Sequence, residues 1–376
     1  MYLPLLLIKR WGVASYPLLF VAAEEIRNRF PFGGFGWARL AYSQTDSPYS
    51  QIAAYGGAIA LSGITALFAF FIFLLFHEQF APLILLPIII SALPLEIHEH
   101  NQIKVLMVQG NVPQYGFDFN ARATQVFYNH IKETDKALKI SDNVDFILWP
   151  ENSVDVDPFK NKQVFESLNR YDKPLIIGAI VDSNGKTFNT SILWQKNGQN
   201  IYMKQHLTPF GEYIPMRALA RKISPLVDQV EDFSPGSTTK VFEIGKAKIS
   251  PIICYELIDD SIVETAANRS NILAVQTNSA TFGRSAESAQ QLSITRIRAI
   301  EHSRNIISVS TTGYSAIINY KGEISQKSSM GTAEHIFATV GLIHSTSIRD
   351  RLGDWAGIFT IVWLFLVSRR AYVLRR

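Results

Sequence analysis

From Ser47 to His77 the chain carries no Asp, Glu, Lys or Arg, and nothing else in the sequence constrains the fold as strongly. The core of this stretch, AAYGGAIALSGITALFAFFIFLLF, is long enough at about 1.5 Å per residue to cross the hydrocarbon of a bilayer. Backbone inside hydrocarbon must satisfy its own hydrogen bonds, so a span here is helical. A second apolar run, FAPLILLPIIISALPL (80–95), follows at once. It is short and holds prolines, so a hairpin partner would have to satisfy the backbone groups they free. WAGIFTIVWLFLVS (355–368) lies between Asp354 and Arg369–Arg370, and its aromatic ends and arginine flank read as a further span. WGVASYPLLFVAA (11–23), after Lys9 and Arg10, reads as a span or as the core of a signal peptide.

Basic residues orient these segments. Lys9–Arg10 and the tail RRAYVLRR are expected on the cytoplasmic side, which places the large middle segment outside. Three regions follow: 1–97, a transmembrane region forming a partial helix bundle; 98–350, an extracytoplasmic domain; and 351–376, a C-terminal transmembrane helix with a basic tail. The composition agrees, with 47% hydrophobic and only 18% charged residues. A net charge of +4 without basic repeats gives no reason to expect nucleic acid. The single cysteine rules out an internal disulfide and a cysteine-built zinc site.

The middle segment reads as α/β. Short β-rich runs recur at 103–109, 144–149, 174–181, 248–254, 271–277 and 305–311, several apolar throughout, as expected of central strands covered on both faces. Helical patterns lie between them at about 119–139, 160–170 and 285–303. Residues 190–204 read as a hairpin turning at Asn197–Gly198, and 314–326 as another turning at Lys321–Gly322. Such a mixture suggests one layered domain. There is no Walker, Rossmann or zincin motif.

Three residues stand where strands end. Glu151 follows an apolar run in FILWPENS, with Pro150 turning the chain. Lys204 closes a hairpin strand and opens YMKQHLTPFGEYIP, a loop given a fixed path by Pro209, Gly211 and Pro215 and carrying Glu212. Tyr202 shares a strand face with Lys204. Cys254 ends the run in SPIICYELIDD, before Tyr255 and Glu256. Taken singly, each has a plainer reading: a turn acid, an exposed lysine, a small buried hydrophobe. Together they supply a cysteine acyl-transfer site. The carboxylate takes the thiol proton, the ammonium favours thiolate and stabilises the oxyanion, and the Tyr255 N–H is a second oxyanion donor. The rival arrangement is a Cys–His pair using His206, expected to face away from Lys204, or His302, inside a long helical stretch.

The order Glu, Lys, Cys in WPEN, YMKQHLTPFGEYIP and ICYE resembles the nitrilase, or carbon–nitrogen hydrolase, superfamily. The longer second motif and the flanking spans resemble one branch of it, the apolipoprotein N-acyltransferases. FGWARLAYSQ (35–44), VQGNVPQ (108–114), QQLSITRIRAIEHSRN (290–305) and STTGYSAII (310–318) extend the likeness through most of the chain. The resemblance implies a stacked α-β-β-α domain attached to transmembrane helices, without metal or cofactor. It places the general base on Glu151, the lysine on Lys204, the nucleophile on Cys254, a second glutamate on Glu212 and a supporting Tyr-Glu pair on Tyr255 and Glu256. It also implies a ping-pong reaction. A fatty acyl chain moves from a phospholipid donor to the cysteine, then to the α-amino group of a diacylglyceryl-modified apolipoprotein. Two departures stand out. NSATFG (278–283) replaces the Asn-Asp-Ala-Trp-Phe-Gly of many members, so pocket contacts are expected to differ. The membrane part is also shorter than in full-length members, which points to a truncated start or to fewer helices. The alternatives are an anchored amidase or nitrilase using the same triad, and an inactive relative that scaffolds lipoprotein handling.

Overall fold

The computed structural model describes residues 7–8, 11–77, 85–93, 95–112, 124–223, 227–228, 232–283 and 285–373. Lys9–Arg10, the first part of the 80–95 run, the end of VQGNVPQ, the start of the 119–139 helical pattern and the last residues of the basic tail lie outside these. The chain forms two compact units: residues 1–97, 296–303 and 345–376, and residues 98–295 and 304–344.

In the first unit, helix Ala53–Phe76 belongs to the one segment among the described residues that is long and apolar enough to cross a membrane, Ser50–Phe76. Its outer end exposes Ile72, Phe73, Leu75 and Phe76. The helix is kinked at Gly56–Gly57, where Gly57 takes φ +71°. A Cβ at Gly57 would lie 2.5 Å from Glu301 Oε1, so this position requires glycine twice over. The kink leaves helix donors without intrahelical partners, and Glu301 Oε1 accepts one of them from Ala58 N–H at 3.1 Å. Helix Tyr16–Arg29 begins later than the sequence pattern suggests and continues through Glu24, Glu25, Arg27 and Arg29. All four of these charges are paired inside the unit: Glu24 accepts from Leu40 N–H and pairs with Arg27, and Glu25 pairs with Arg29 and Arg39. Within the 80–95 run the described helix is only Leu86–Ser91, too short to cross a bilayer alone. Helix Trp355–Val373 presents Ile358, Phe359, Ile361, Val362, Phe365 and Leu366 outward.

The second unit is built on two six-stranded sheets. The first contains β1 (Glu99–Gln109), β2 (Phe146–Leu148), β3 (Leu175–Ser183), β4 (Lys186–Gln195) and β5 (Gly198–Met203). The second contains β6 (Phe242–Ile244), β7 (Ala247–Ile253), β8 (Ile272–Thr277), β9 (Ile306–Ser310), β10 (Ala316–Ile318) and β11 (Ile324–Lys327). β12 (Glu334–Ile343) returns to the first sheet, antiparallel to β1. The orders are β12-β1-β2-β3-β4-β5 and β11-β10-β9-β8-β7-β6. Each sheet has a parallel centre, β1-β2-β3 and β7-β8-β9. The β4–β5 hairpin turns at Lys196–Asn197, one residue earlier than expected, because Gly198 already pairs with Gln195.

Strand alternation builds the layers. On β1, Val105 and Met107 enter a core shared with Ile249, Ile253, Ile272, Ala274, Ile307 and Val309 of the second sheet. Leu106 and Val108 face the opposite way and join a core with Phe127 and Ile131 of helix Gln125–Leu138 and with Val164 and Leu168 of helix Lys162–Asn169. Helix Asp260–Arg269 packs on β7, burying Val263, Ala266 and Ala267. The result is the α-β-β-α sandwich.

Candidate active site

Glu151, Lys204 and Cys254 reach one buried place because three strands end there. β2 stops at Leu148, and the turn after it passes close over β3, where Gly178 lies beneath it. A Cβ at Gly178 would lie 2.6 Å from the Glu151 Cα, so only glycine lets the turn settle. Gln276 anchors the same turn, donating from Nε2 to the Trp149 carbonyl at 2.7 Å. Lys204 follows β5 directly and its N–H continues the ladder to the Asn189 carbonyl at 2.9 Å. Cys254 follows β7 at φ +49°, a left-handed conformation for a non-glycine residue. Such a conformation costs on the order of 1–3 kcal/mol and persists only where the surroundings enforce it. Here Glu256 enforces it. Its buried carboxylate accepts from Ile253 N–H at 2.7 Å, Tyr202 O–H at 2.7 Å and Gln205 N–H at 2.6 Å. One side chain thus ties the cysteine turn to the end of the lysine strand.

The polar contacts are dense. Lys204 Nζ lies 3.1 Å from Glu151 Oε1, 2.8 Å from Glu212 Oε2 and 3.4 Å from Thr208 Oγ1. Asn189 donates from Nδ2 to Glu151 Oε1 at 2.8 Å and to Glu212 Oε1 at 2.6 Å. Glu151 Oε2 accepts from Asn278 N–H at 2.8 Å, and Glu212 Oε2 from Thr208 N–H at 2.7 Å. Gln291, on helix Glu287–His302, donates from Nε2 to Cys254 Sγ at 3.4 Å.

Burial and charge set the protonation states. Burial pushes the Cys254 thiol up to about 12, with Glu151 adding to the rise while Lys204 and the Gln291 amide oppose it. The Lys204 ammonium favours thiolate, as expected, but burial outweighs it and the thiol form is favoured at rest. Lys204 itself faces two carboxylates. Burial disfavours its ammonium, but Glu151 and Glu212 outweigh that and hold its pKa above the ordinary value. Burial also opposes ionisation of Glu212, and the Lys204 charge outweighs it, keeping the carboxyl below its usual range. Glu256 is raised to about 7 by burial, against the hydrogen bonds that it accepts.

Neither histidine takes part in a Cys–His pair. The strand ends at Met203, so alternation no longer governs His206, and its Nδ1 lies 2.8 Å from Asp259 Oδ2. His302 belongs to the first unit and faces Asp350 at 2.9 Å. Tyr255 is buried, its ring edge-on to His206. In NSATFG, Asn278 serves Glu151 through its backbone, and Ser279 Oγ meets Ser310 Oγ at 3.0 Å. Reading the sequence alone missed Asn189, in a strand with no motif around it, and also Thr208, Asn278 and Gln291, which lie inside the motifs quoted above but carried no signal of their own.

A carboxylate, an ammonium and a thiol at strand ends of a two-sheet sandwich define a class. The family model described as carbon–nitrogen hydrolase matches residues 107–350, and the chain belongs to that family. Within it, the likeness is to a particular enzyme. Residues 1–71 match the apolipoprotein N-acyltransferase N-terminal domain. The apolipoprotein N-acyltransferase of Mycolicibacterium smegmatis is 35% identical over 336 residues, 76% of this chain and 56% of that protein. The chain thus spans little more than half of that relative's length. The apolipoprotein N-acyltransferase of Aquifex aeolicus is 29% identical over 332 residues, covering 84% of this chain and 73% of that protein. A solved CN-hydrolase superfamily protein from Xanthomonas campestris aligns with 64% of this chain and 91% of its own, at TM-score 0.48 and 14% identity.

Proposed function

We propose that this chain is an N-acyltransferase that moves a fatty acyl chain from a phospholipid, through a Cys254 thioester, to the α-amino group of the N-terminal diacylglyceryl-cysteine of an apolipoprotein. The observation that carries this reading is the presence, on one chain, of a buried Glu–Lys–Cys cluster and of a match to the N-terminal domain of apolipoprotein N-acyltransferase. A hydrolase of small amides has no use for an apolar segment such as Ser50–Phe76. Residues 1–97 and 351–376 then hold the enzyme in the cell membrane, with 98–350 as its extracytoplasmic catalytic domain.

Because the resting sulfur is a thiol, its proton must leave as the sulfur attacks. Glu151 takes it, the S–C bond forms, and the ester carbonyl oxygen becomes an oxyanion. Protonated Glu151 no longer holds the ammonium, so Lys204 turns an N–H toward that oxyanion, joined by the Tyr255 N–H. The C–O bond breaks and Glu151 returns its proton to the departing lysophospholipid. In the second half the acceptor amine attacks the thioester, Glu151 takes the amine proton, and the C–S bond breaks. Glu212 keeps Lys204 charged and in place throughout, and Glu256 holds the nucleophile turn.

Enzyme mixed with phospholipid and no acceptor should gain the mass of one acyl group on Cys254, labile to neutral hydroxylamine. Cys254→Ala and Glu151→Gln should gain none. A diacylated peptide with a free N-terminal amine should discharge the adduct as N-acyl peptide. Discharge only to free fatty acid would favour the hydrolase reading, and an unchanged mass would sink both.

A further inference from the structure

We infer that Gln291 is a catalytic residue of this site, whose side-chain amide stabilises the Cys254 thiolate as it forms and again as it leaves. This rests on Cys254 being the nucleophile proposed above. Gln291 is 3% exposed, and its Nε2 points at Sγ from 3.4 Å. Helix Glu287–His302 holds it there, the next turn closing over it through Thr295 O–H to the Gln291 carbonyl at 2.8 Å.

The charges around the sulfur explain why a neutral donor matters. Among the described residues Lys204 is the one ammonium beside these carboxylates, and it is shared between Glu151 and Glu212. The cluster is therefore formally negative before the thiol ionises, and a thiolate would add to that. Ion pairing with the shared Lys204 cannot supply the whole of the stabilisation that the sulfur needs, so another donor has to add to it. An N–H dipole aimed at the sulfur can, and it leaves the ammonium free for the oxyanion.

The donor acts in both halves of the reaction. In the first, the thiol proton passes to Glu151 while the sulfur's electron pair forms the S–C bond, so negative charge builds on Sγ just before bonding. In the second, the N–C bond to the amine forms, the C–S bond breaks, and the electron pair returns to the sulfur. Sulfur leaves as thiolate and then regains its proton from Glu151. In both, the Gln291 N–H faces the atom that bears the charge.

The test needs no lipid. The full-length chain in detergent is alkylated with iodoacetamide between pH 7 and 10, and the rate on Cys254 is followed by intact mass. The wild-type rate should climb across this range without levelling. Gln291→Leu should lower it about tenfold at each pH, the lost thiolate fraction being partly offset by the greater nucleophilicity of a more basic sulfur. Gln291→Glu, nearly the same shape, should lower it further because its carboxylate adds negative charge beside the sulfur. Wild-type rates in a folded Gln291→Leu would overturn the inference. Should that variant fail to melt cooperatively, wild-type rates in Gln291→Glu would overturn it equally. A wild-type enzyme that never loads lipid would instead count against the acyltransferase reading, leaving the alkylation result intact.

Discussion

Asn189 shows how closely this site depends on one neutral amide. Its two N–H groups separate Glu151 from Glu212, two carboxylates that share a single lysine. Carboxylates only accept, so these partners also fix which way the amide points. Asn189→Asp keeps the shape, removes both donors and adds a third acid. We expect thioester loading at pH 8 to fall by at least about a hundredfold, taking about 1.5–3 kcal/mol for each of the two charged hydrogen bonds lost. The new acid, raised by two like charges, should regain a proton as the pH falls and donate again. Loading by this variant should therefore increase from pH 8 to pH 6, while the wild type, which keeps its amide donors at both pH values, does not. A parallel profile would show that the amide acts as packing alone. Glu151 and Cys254 were legible in the sequence because each follows an apolar run that ends abruptly, and Lys204 because it closes a hairpin strand and opens a loop fixed by prolines. Asn189 and Gln291 were not, because what ties each of them to the site is a partner 38 and 37 residues away.

Among the elements, the central strands and the hairpin edges β5 and β11 declared themselves, and the other two edges, β6 and β12, did not. β2, β8 and β9 are buried at every residue, and their sequences are apolar except for Gln276, Thr277, Ser308 and Ser310. β12 was missed. Its first half is only half-buried, and it includes His335 and Gly341, which dilute any strand pattern. Gly341 is nevertheless required there, since a side chain would overlap the Glu99 carboxylate. The same logic at β3 gives a prediction about catalysis. Gly178→Ala should push the Pro150–Glu151 turn outward, costing about 1–3 kcal/mol in overpacking and displacing the base from the sulfur. Loading should drop at least tenfold in a variant that still melts cooperatively. Unchanged loading would mean that the Glu151 turn has slack which the geometry does not suggest.

The whole molecule joins a sandwich unit to a unit containing a kinked apolar helix, and basic residues at both ends of the sequence bear on its orientation. A reporter fused after Arg376 should behave as cytoplasmic, and one inserted at the exposed Asn184–Gly185 turn as external; the reverse would overturn both the topology and the proposed acceptor. That orientation would expose the enzyme to a compartment without the cell's reducing pools, which gives the raised thiol pKa a further consequence. Peroxides and disulfides react with thiolates, and far more slowly with thiols. A sulfur that is buried and protonated at rest, ionising only as substrate arrives, is shielded from sulfenic acid and mixed-disulfide formation between turnovers. With no second cysteine in the chain to resolve such damage, an enzyme working outside the cytoplasm would depend on that restraint.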